Sequence, residues 1–316
     1  MPSQSTAPAI TKISTKFPIF SPVDLTTKQI YERWFYQFEP YSDLSFSNLI
    51  SWMNLNKNLN ISCLGDTLIF RYSYPFGDPV LSYTVLGREN VQEAAEKVFA
   101  IQKYNHQEQL LTMVPGEAVD WLDKNRVKIT EDRDNFDYIY SCEEWRNPSG
   151  RSFRSLRTSI NSIQNTYADI RVEDVDLTNP RAVMAIVNQM HTWKSFDSLN
   201  DVARVSMEPL AINNCFINAA ALGHKCSVLF LDGHVASIFL YHYPPHEKFV
   251  IFNHLKCDYT IPNIFDFTFY YTVKNVIPES VEFFNAEQDL GINGLRKHKL
   301  LMQPIRFLKR YNVTPA

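Results

Sequence analysis

The sequence predicts an α/β fold with mixed sheets, and three observations carry that expectation. First, the second half of the chain runs helix, hairpin, strand, helix, strand, helix, a mixture that packs as helices against a sheet. Second, Cys226–Leu231 and Val235–Tyr243 are apolar runs joined by Asp232-Gly233, a two-residue hairpin turn. Third, the apolar run Val281–Phe284 stops at Asn285. It gives way to a polar loop with Glu287 and Asp289, then Gly291 and Gly294, then a basic helix start. Open α/β sheets place their chemistry beyond such strand ends.

The remaining elements follow in order. Residues 1–18 are expected to be a disordered tail, since Met1–Thr15 is small, polar and poor in charge, without the basic start and apolar centre of a signal peptide. Ile30, Trp34, Phe35 and Phe38 recur at near-helical spacing, which predicts an amphipathic helix over Lys28–Phe38. Ser45 is placed to cap a second short helix carrying Phe46, Leu49, Ile50 and Trp52 as a core stripe. Leu59–Leu64 and Thr67–Tyr72 flank Gly65-Asp66 and read as a hairpin. Tyr74–Pro79 is a rigid turn before a strand over Val80–Leu86. A helix over Glu89–Tyr104 bears Val91, Ala94, Ala95 and Val98. Gln109–Val114 is the next strand, and Pro115 opens a short helix through Trp121 and Leu122.

After the acidic turn Glu131–Asp134, Phe136–Tyr140 is strand-like, Arg151–Thr166 helical, and Ala168–Asp176 an acidic strand and turn. The first domain is expected to span 19–177 and the second 178–316, with Asn179-Pro180 starting the next helix. That helix covers Arg181–Trp193. A polar connector leads to a helix over Pro209–Leu222, ended by Gly223. Past the Cys226–Tyr243 hairpin, Pro244-Pro245 breaks the chain, Phe249–Leu255 is a strand, and Pro262 begins an aromatic helix over Ile264–Val273.

At 316 residues the chain accommodates two domains of ordinary size. With 22 Phe, 16 Tyr and 5 Trp, its core or a large cleft must be lined by aromatics. The net charge of -3 excludes a global basic field for nucleic acid, so an anionic partner must meet a local patch. Five scattered cysteines argue against a disulfide framework and for a reducing, cytoplasmic setting. No apolar run reaches the roughly 18 residues of a membrane span; only transient membrane contact is compatible with the sequence, which is silent on oligomeric state.

The run Glu287–Lys299, EQDLGINGLRKHK, resembles the closing signature of the phosphatidylglycerol lysyltransferase C-terminal domain family, the catalytic part of aminoacyl-tRNA-dependent lipid-modifying enzymes. Two earlier blocks agree: Asn135–Tyr140 with Gly150–Asn161, and, less specifically, Phe46–Trp52. The resemblance extends from about residue 20 to the C-terminus. It implies two GNAT-like acyltransferase domains in tandem. It also implies aminoacyl-tRNA as co-substrate, no tightly bound cofactor, and a lipid, peptide or small-molecule acceptor. The family's Gly-Leu-Arg followed by Lys is matched by Gly294, Leu295, Arg296 and Lys299. Two departures stand out. The Lys-Arg-Asn run of the middle helix is Leu156-Arg157-Thr158 here. A strand ending in Glu-Lys reads Asn253-His254-Leu255-Lys256, which keeps Lys256 and replaces the glutamate. These departures point to an altered acceptor, an altered donor or a decayed site.

The expected reaction is attack of an amine or hydroxyl on an activated acyl group, with positioning, proton transfer and oxyanion stabilisation as its requirements. Asp289 is the first choice for acceptor positioning or proton abstraction, with an N-cap carboxylate as its structural alternative. Glu287 is a second base, and Lys256 completes the catalytic set. Arg296 and Lys299, three apart on one helix face, suit the terminal phosphate of a charged tRNA. Arg151, Arg154 and Arg157 form a basic ridge suited to an RNA backbone, with Asn161 beside it. Asn285, where the strand stops, joins the substrate-binding set. A tRNA substrate requires a continuous basic stripe from Arg151 to Lys299.

A runner-up donor, acyl-CoA or a carrier-bound thioester, requires free N–H groups at a splayed strand end. Yet the Gln/Arg-x-x-Gly-x-Gly/Ala loop of acetyl-CoA binding is absent. A non-catalytic ligand-binding protein on the same scaffold would bury Asp289 in a cap. His242, His246, His254 and Cys257 lie close in sequence but form no compact zinc motif, so no metal is expected.

Overall fold

The computed structural model describes residues 15–53, 59–73, 81–193 and 202–316, with only the backbone described at Thr15, Met53 and 202–207. The expected turn Tyr74–Pro79, residues 1–14 of the tail and the connector at 194–201 lie outside these residues. Two compact units emerge: one running to Asp137 and regaining Leu308–Ala316, the other Tyr138–Phe307.

In the first unit, β1 (Thr15–Lys16) and β2 (Ser21–Pro22) both pair with β3 (Asn60–Leu64), so the segment expected as a tail enters a strand at Thr15. Between them α1 (Lys28–Phe35) buries Tyr31, Trp34 and Phe35, and Ser45 caps α2 (Phe46–Asn48) through its hydroxyl. Strands β3, β4 (Thr67–Ser73) and β5 (Leu81–Leu86) form an antiparallel meander. Gly65 turns β3 into β4 at φ +58, and a Cβ there would run into the Asn90 side chain. Helix α3 (Val91–Tyr104) packs Val91, Ala94, Ala95 and Val98 into this core, followed by β6 (Leu111–Pro115), α4 (Gly116–Val119) and β7 (Val127–Glu131).

The second unit carries β8 (Asp137–Ser141), α5 (Cys142–Arg146), α6 (Arg154–Thr166), β9 (Ile170–Asp174), α7 (Pro180–Thr192), α8 (Val202–Ile217) and α9 (Ala219–Leu222). There follow β10 (His224–Leu231), β11 (His234–His242), β12 (Phe249–Cys257), α10 (Ile264–Asn275), β13 (Phe283–Asn285), α11 (Asn293–Leu301) and β14 (Arg306–Leu308). Its sheet runs β14-β8-β13-β12-β11-β10-β9, with β12 and β13 parallel. The expected helix Pro209–Leu222 starts earlier, with Pro209 inside α8, and its last turn is the separate α9.

The units therefore divide at Asp137, not at 177/178 as the sequence pattern places the boundary. β8 and β9 hydrogen-bond to β13 and β10, and α6 shares a core with α10, so these elements fold with the second unit. The last strand, β15 (Arg310–Pro315), returns to the first unit and lies between β6 and β7. It is tied down by Arg310, fully buried against the Tyr41 ring, which donates to Met113 C=O at 3.0 Å and Asp43 at 3.3 Å.

Alternation along β11 and β12 sends Phe239, Tyr241 and Phe252 toward α5, α6 and α10, and Ile238 and Leu240 toward α7 and α8. Phe284 of β13 centres the aromatic face. It stacks on Tyr140 at 4.8 Å and lies 5.5 Å from Trp145 and 5.1 Å from Phe252 between ring centroids. Phe284→Ala is expected to lower unfolding free energy by about 3–5 kcal/mol in denaturant titration. Truncation of Leu301, 64% exposed, shifts it by under roughly 0.5 kcal/mol.

Candidate active site

Strands β12 and β13 pair only over Phe249–Ile251 and Phe283–Asn285; β12 then continues to Cys257 while β13 has ended. The sheet thus opens into a wedge beyond Asn285. At the same level β12 carries a bulge: Tyr241 opposes Phe252 and Leu240 opposes His254, leaving Asn253 unopposed. One extra residue in a strand re-aims a side chain. Asn253 and His254 consequently share the face that holds Leu240 and His242. The Asn253 amide N–H donates to Glu287 Oε1 at 3.0 Å, and its Oδ1 lies 2.8 Å from His242 Nδ1. One side chain from β12 and one from the loop after β13 therefore meet where main-chain pairing has stopped.

The loop that presents Glu287 is held from several directions. Glu287 and Leu290 both take left-handed backbone, at φ +58 and +55, which costs a non-glycine residue about 1 kcal/mol each. Asn285 Oδ1 accepts from the Glu287 N–H at 2.8 Å, and Glu287 C=O accepts from Tyr138 N–H at 3.2 Å. Lys299, buried under the Tyr138 ring, donates to the carbonyls of Ala286 and Glu287. Asp289 is fully buried. It receives Arg296 Nε at 2.9 Å and Nη2 at 2.8 Å, the Tyr138 hydroxyl at 2.6 Å and the Gly291 N–H at 2.9 Å. Burial alone would raise its pKa. The arginine, the hydroxyl and the amide outweigh that and hold it at about 2.

A second polar group lies on the same face of β12. Lys256 Nζ donates to Glu208 Oε2 at 2.5 Å, and buried His254 Nδ1 lies 3.4 Å from Glu208 Oε1. Burial opposes ionisation of Glu208, but His254 and the Lys256 charge bring it to about 2; burial lowers the pKa of His254.

The geometry redistributes the expected roles. Asp289 is anchored to Arg296 and is no proton acceptor near neutral pH, so its assignment as first base is corrected. Neither is it an N-cap of α11, where Ile292 stands. Asn285, with no exposed surface, shapes the loop, and Lys299 is spent on carbonyls, so neither presents itself to a substrate. Arg296 is engaged by Asp289 while 28% exposed, and Lys256 is ion-paired at 15% exposure. Arg154 and Asn161 stand exposed on α6, with Arg157 half-buried and 3.5 Å from Pro148 C=O. The basic stripe from Arg151 to Lys299 thus lacks its second half. Glu287 stays half-buried where the β12/β13 pairing has ended, with Asn253 on its Oε1.

Tyr138, Asn253 and Glu208 were not among the site residues expected from sequence, and His242 was weighed only as a metal ligand. The signal for Asn253 was present as two polar residues, Asn253-His254, interrupting an apolar strand. Among the described residues no group of three or more His, Cys, Asp or Glu is placed to hold a metal ion. No described helix is long and apolar enough to cross a membrane.

Comparison with known proteins supplies the family. The family model described as "Phosphatidylglycerol lysyltransferase, C-terminal" matches residues 35–314. The chain is similar to a conserved protein of unknown function from Bacteroides thetaiotaomicron, at 23% identity and TM-score 0.79, over 94% of this chain and 99% of that one. It resembles the L-PGS structure from Bacillus licheniformis at 13% identity and TM-score 0.58, covering 87% and 90%. The C-terminal domain of a putative lysylphosphatidylglycerol synthetase from Agrobacterium fabrum aligns at 14% identity and TM-score 0.56, covering 81% and 83%. No curated protein matches the chain. The fold is α/β with mixed sheets in both units.

The acid side of the stability curve reports on the Asp289 pair. Its folded pKa lies below the unfolded value near ~3.9, so its contribution is complete above that value and is lost as pH falls toward 2. In Asp289→Asn, stability at pH 7 is expected to drop by about 3 kcal/mol, because Arg296 loses its partner. The further loss between pH 5 and 3 shrinks by about 1 kcal/mol, read by urea unfolding at each pH.

Proposed function

The chain belongs to the phosphatidylglycerol lysyltransferase C-terminal family, and on that premise we propose that it transfers an aminoacyl group from aminoacyl-tRNA to an amine or hydroxyl acceptor. The observation that carries this reading is Glu287 at the open end of the β12/β13 wedge, held across it by Asn253. An ester carbonyl in the wedge is attacked by the acceptor nitrogen or oxygen. The new bond to the acyl carbon forms, the ester C–O bond breaks, and Glu287 takes the acceptor's proton and returns it to the departing ribose oxygen. The exposed Arg151 and Arg154 at the start of α6 offer phosphate contacts for the donor. Lipid, peptide and small molecule remain alternatives for the acceptor.

A second reading, transfer from acyl-CoA or a carrier-bound thioester, is favoured by the wedge itself, because a pantetheine arm can follow a strand where its pairing to the neighbour has stopped. Against it stands the segment joining β12 to α10, Asp258–Asn263, which contains no glycine and so offers no pyrophosphate loop. Burial of Asp289, expected of a non-catalytic binding protein, does not separate the readings, since the carboxylate anchors the loop in either case.

Purified protein incubated with total tRNA charged with each labelled amino acid, and with pooled extract acceptors, is expected to move label from one charged tRNA to an extractable product. Glu287→Gln should lower kcat by about 10²- to 10⁴-fold, the usual contribution of a general base. Charged tRNA that is neither bound nor consumed with any extract overturns the tRNA reading and turns the assay to acyl-CoA.

A further inference from the structure

Two polar side chains behind Glu287 are left unexplained by that reaction. Asn253 occupies the β12 bulge, and His242 is the last residue of β11, 2% exposed. A carboxylate oxygen only accepts hydrogen bonds, so the Asn253 atom 3.0 Å from Glu287 Oε1 must be the amide nitrogen. The opposite end of the amide is then Oδ1, an acceptor, facing His242 Nδ1 at 2.8 Å. That contact requires the proton of His242 to sit on Nδ1. The polarity of the whole chain is set by the carboxylate, and each link has one allowed orientation.

We infer that Asn253 and His242 are positioning residues that hold the Glu287 carboxylate in one orientation across the wedge, His242 by locking the Asn253 amide. An amide cannot pass a proton onward, so the chain fixes the base and does not drain its proton. Alternation from Phe252, on the aromatic face, sends Asn253 to the face of His242, and the bulge keeps His254 on that face as well. The left-handed backbone at Glu287 supplies the other half, turning that side chain back toward β12.

The inference rests on the role proposed for Glu287, and the experiment separates the two. His242 imidazole nitrogen and carbon shifts, recorded by NMR on the labelled full chain, are expected to show the Nδ1–H tautomer in the wild type. That preference should be lost in Asn253→Leu. In the transfer assay Asn253→Leu is expected to lower kcat by about 10- to 100-fold with KM within about twofold, the cost of a misaimed base. His242→Gln, which retains a donor for Oδ1, stays within about threefold of wild type, and His242→Phe loses about tenfold. Thermal unfolding of each variant identifies any that fail to fold, and the His242→Gln against His242→Phe contrast then decides alone.

A wild-type His242 carrying its proton on Nε2 overturns the inference without any activity measurement. An unchanged kcat in Asn253→Leu, with Glu287→Gln inactive, overturns it while leaving the role of Glu287 intact. An unchanged kcat in Glu287→Gln overturns that role instead, and with it the positioning function.

Discussion

A buried carboxylate needs compensation of several kcal/mol, and the ion pair of Asp289 with Arg296 organises the loop after β13 around that requirement. Two guanidinium N–H groups, the Tyr138 hydroxyl and the Gly291 amide converge on its two oxygens. To bring them there, the backbone passes through left-handed conformations, and α11 starts where Arg296 can reach back one turn and more. Lys299 follows on the same helix and secures the carbonyls of Ala286 and Glu287. The signature residues thus read as architecture. Their product is the placement of Glu287, the one acidic side chain of the loop that stays half-open.

The same connectivity is used twice. Three antiparallel strands, a helix, a strand, a helix and a strand make up β3 to β7, and again β10 to β14. In each copy a strand from elsewhere in the sequence is laid between the last two: β15 between β6 and β7, β8 between β13 and β14. The copies differ in their polar content. In the first unit Arg310 is closed off against Tyr41, Asp43 and Met113, and Asp137 by two hydrogen bonds from Ser42 at 2.6 and 2.7 Å. In the second, Glu287, Asn253, Lys256 and Glu208 all retain partial exposure. The two versions of one connectivity thus differ in how far their polar groups are closed off from solvent.

Much of this was legible from residue types alone. The Asp232-Gly233 hairpin, the α3 stripe of Val91, Ala94, Ala95 and Val98, and the strand ending at Asn285 all fold as their patterns require, because periodicity reports local burial directly. What escaped was non-local. Nothing near Phe136–Tyr140 says that this strand will seek β13, some 140 residues away, so the domain boundary was drawn too late. Charge was misread for a related reason. Asp289, Arg296 and Lys299 have the composition of a substrate site, and only distances reveal that the first two satisfy each other while the third is spent on main-chain carbonyls. The bulge at Asn253 left one trace, the polar pair Asn253-His254 inside an apolar strand, and residue types alone do not tell such a pair from an ordinary strand end.

The position of β15 has a consequence for synthesis. Its partner Leu111 precedes Val313 by about 200 residues, so the gap between β6 and β7 stays unfilled while the whole second unit leaves the ribosome. During that interval two strand edges of the first unit wait unpaired, the condition under which nascent chains recruit holding chaperones or add strands to their neighbours. The second unit suffers no such delay, for β8 is already outside the tunnel when β13 appears. The half of the molecule that emerges last is therefore able to finish first, and the earlier half closes only when its final strand arrives.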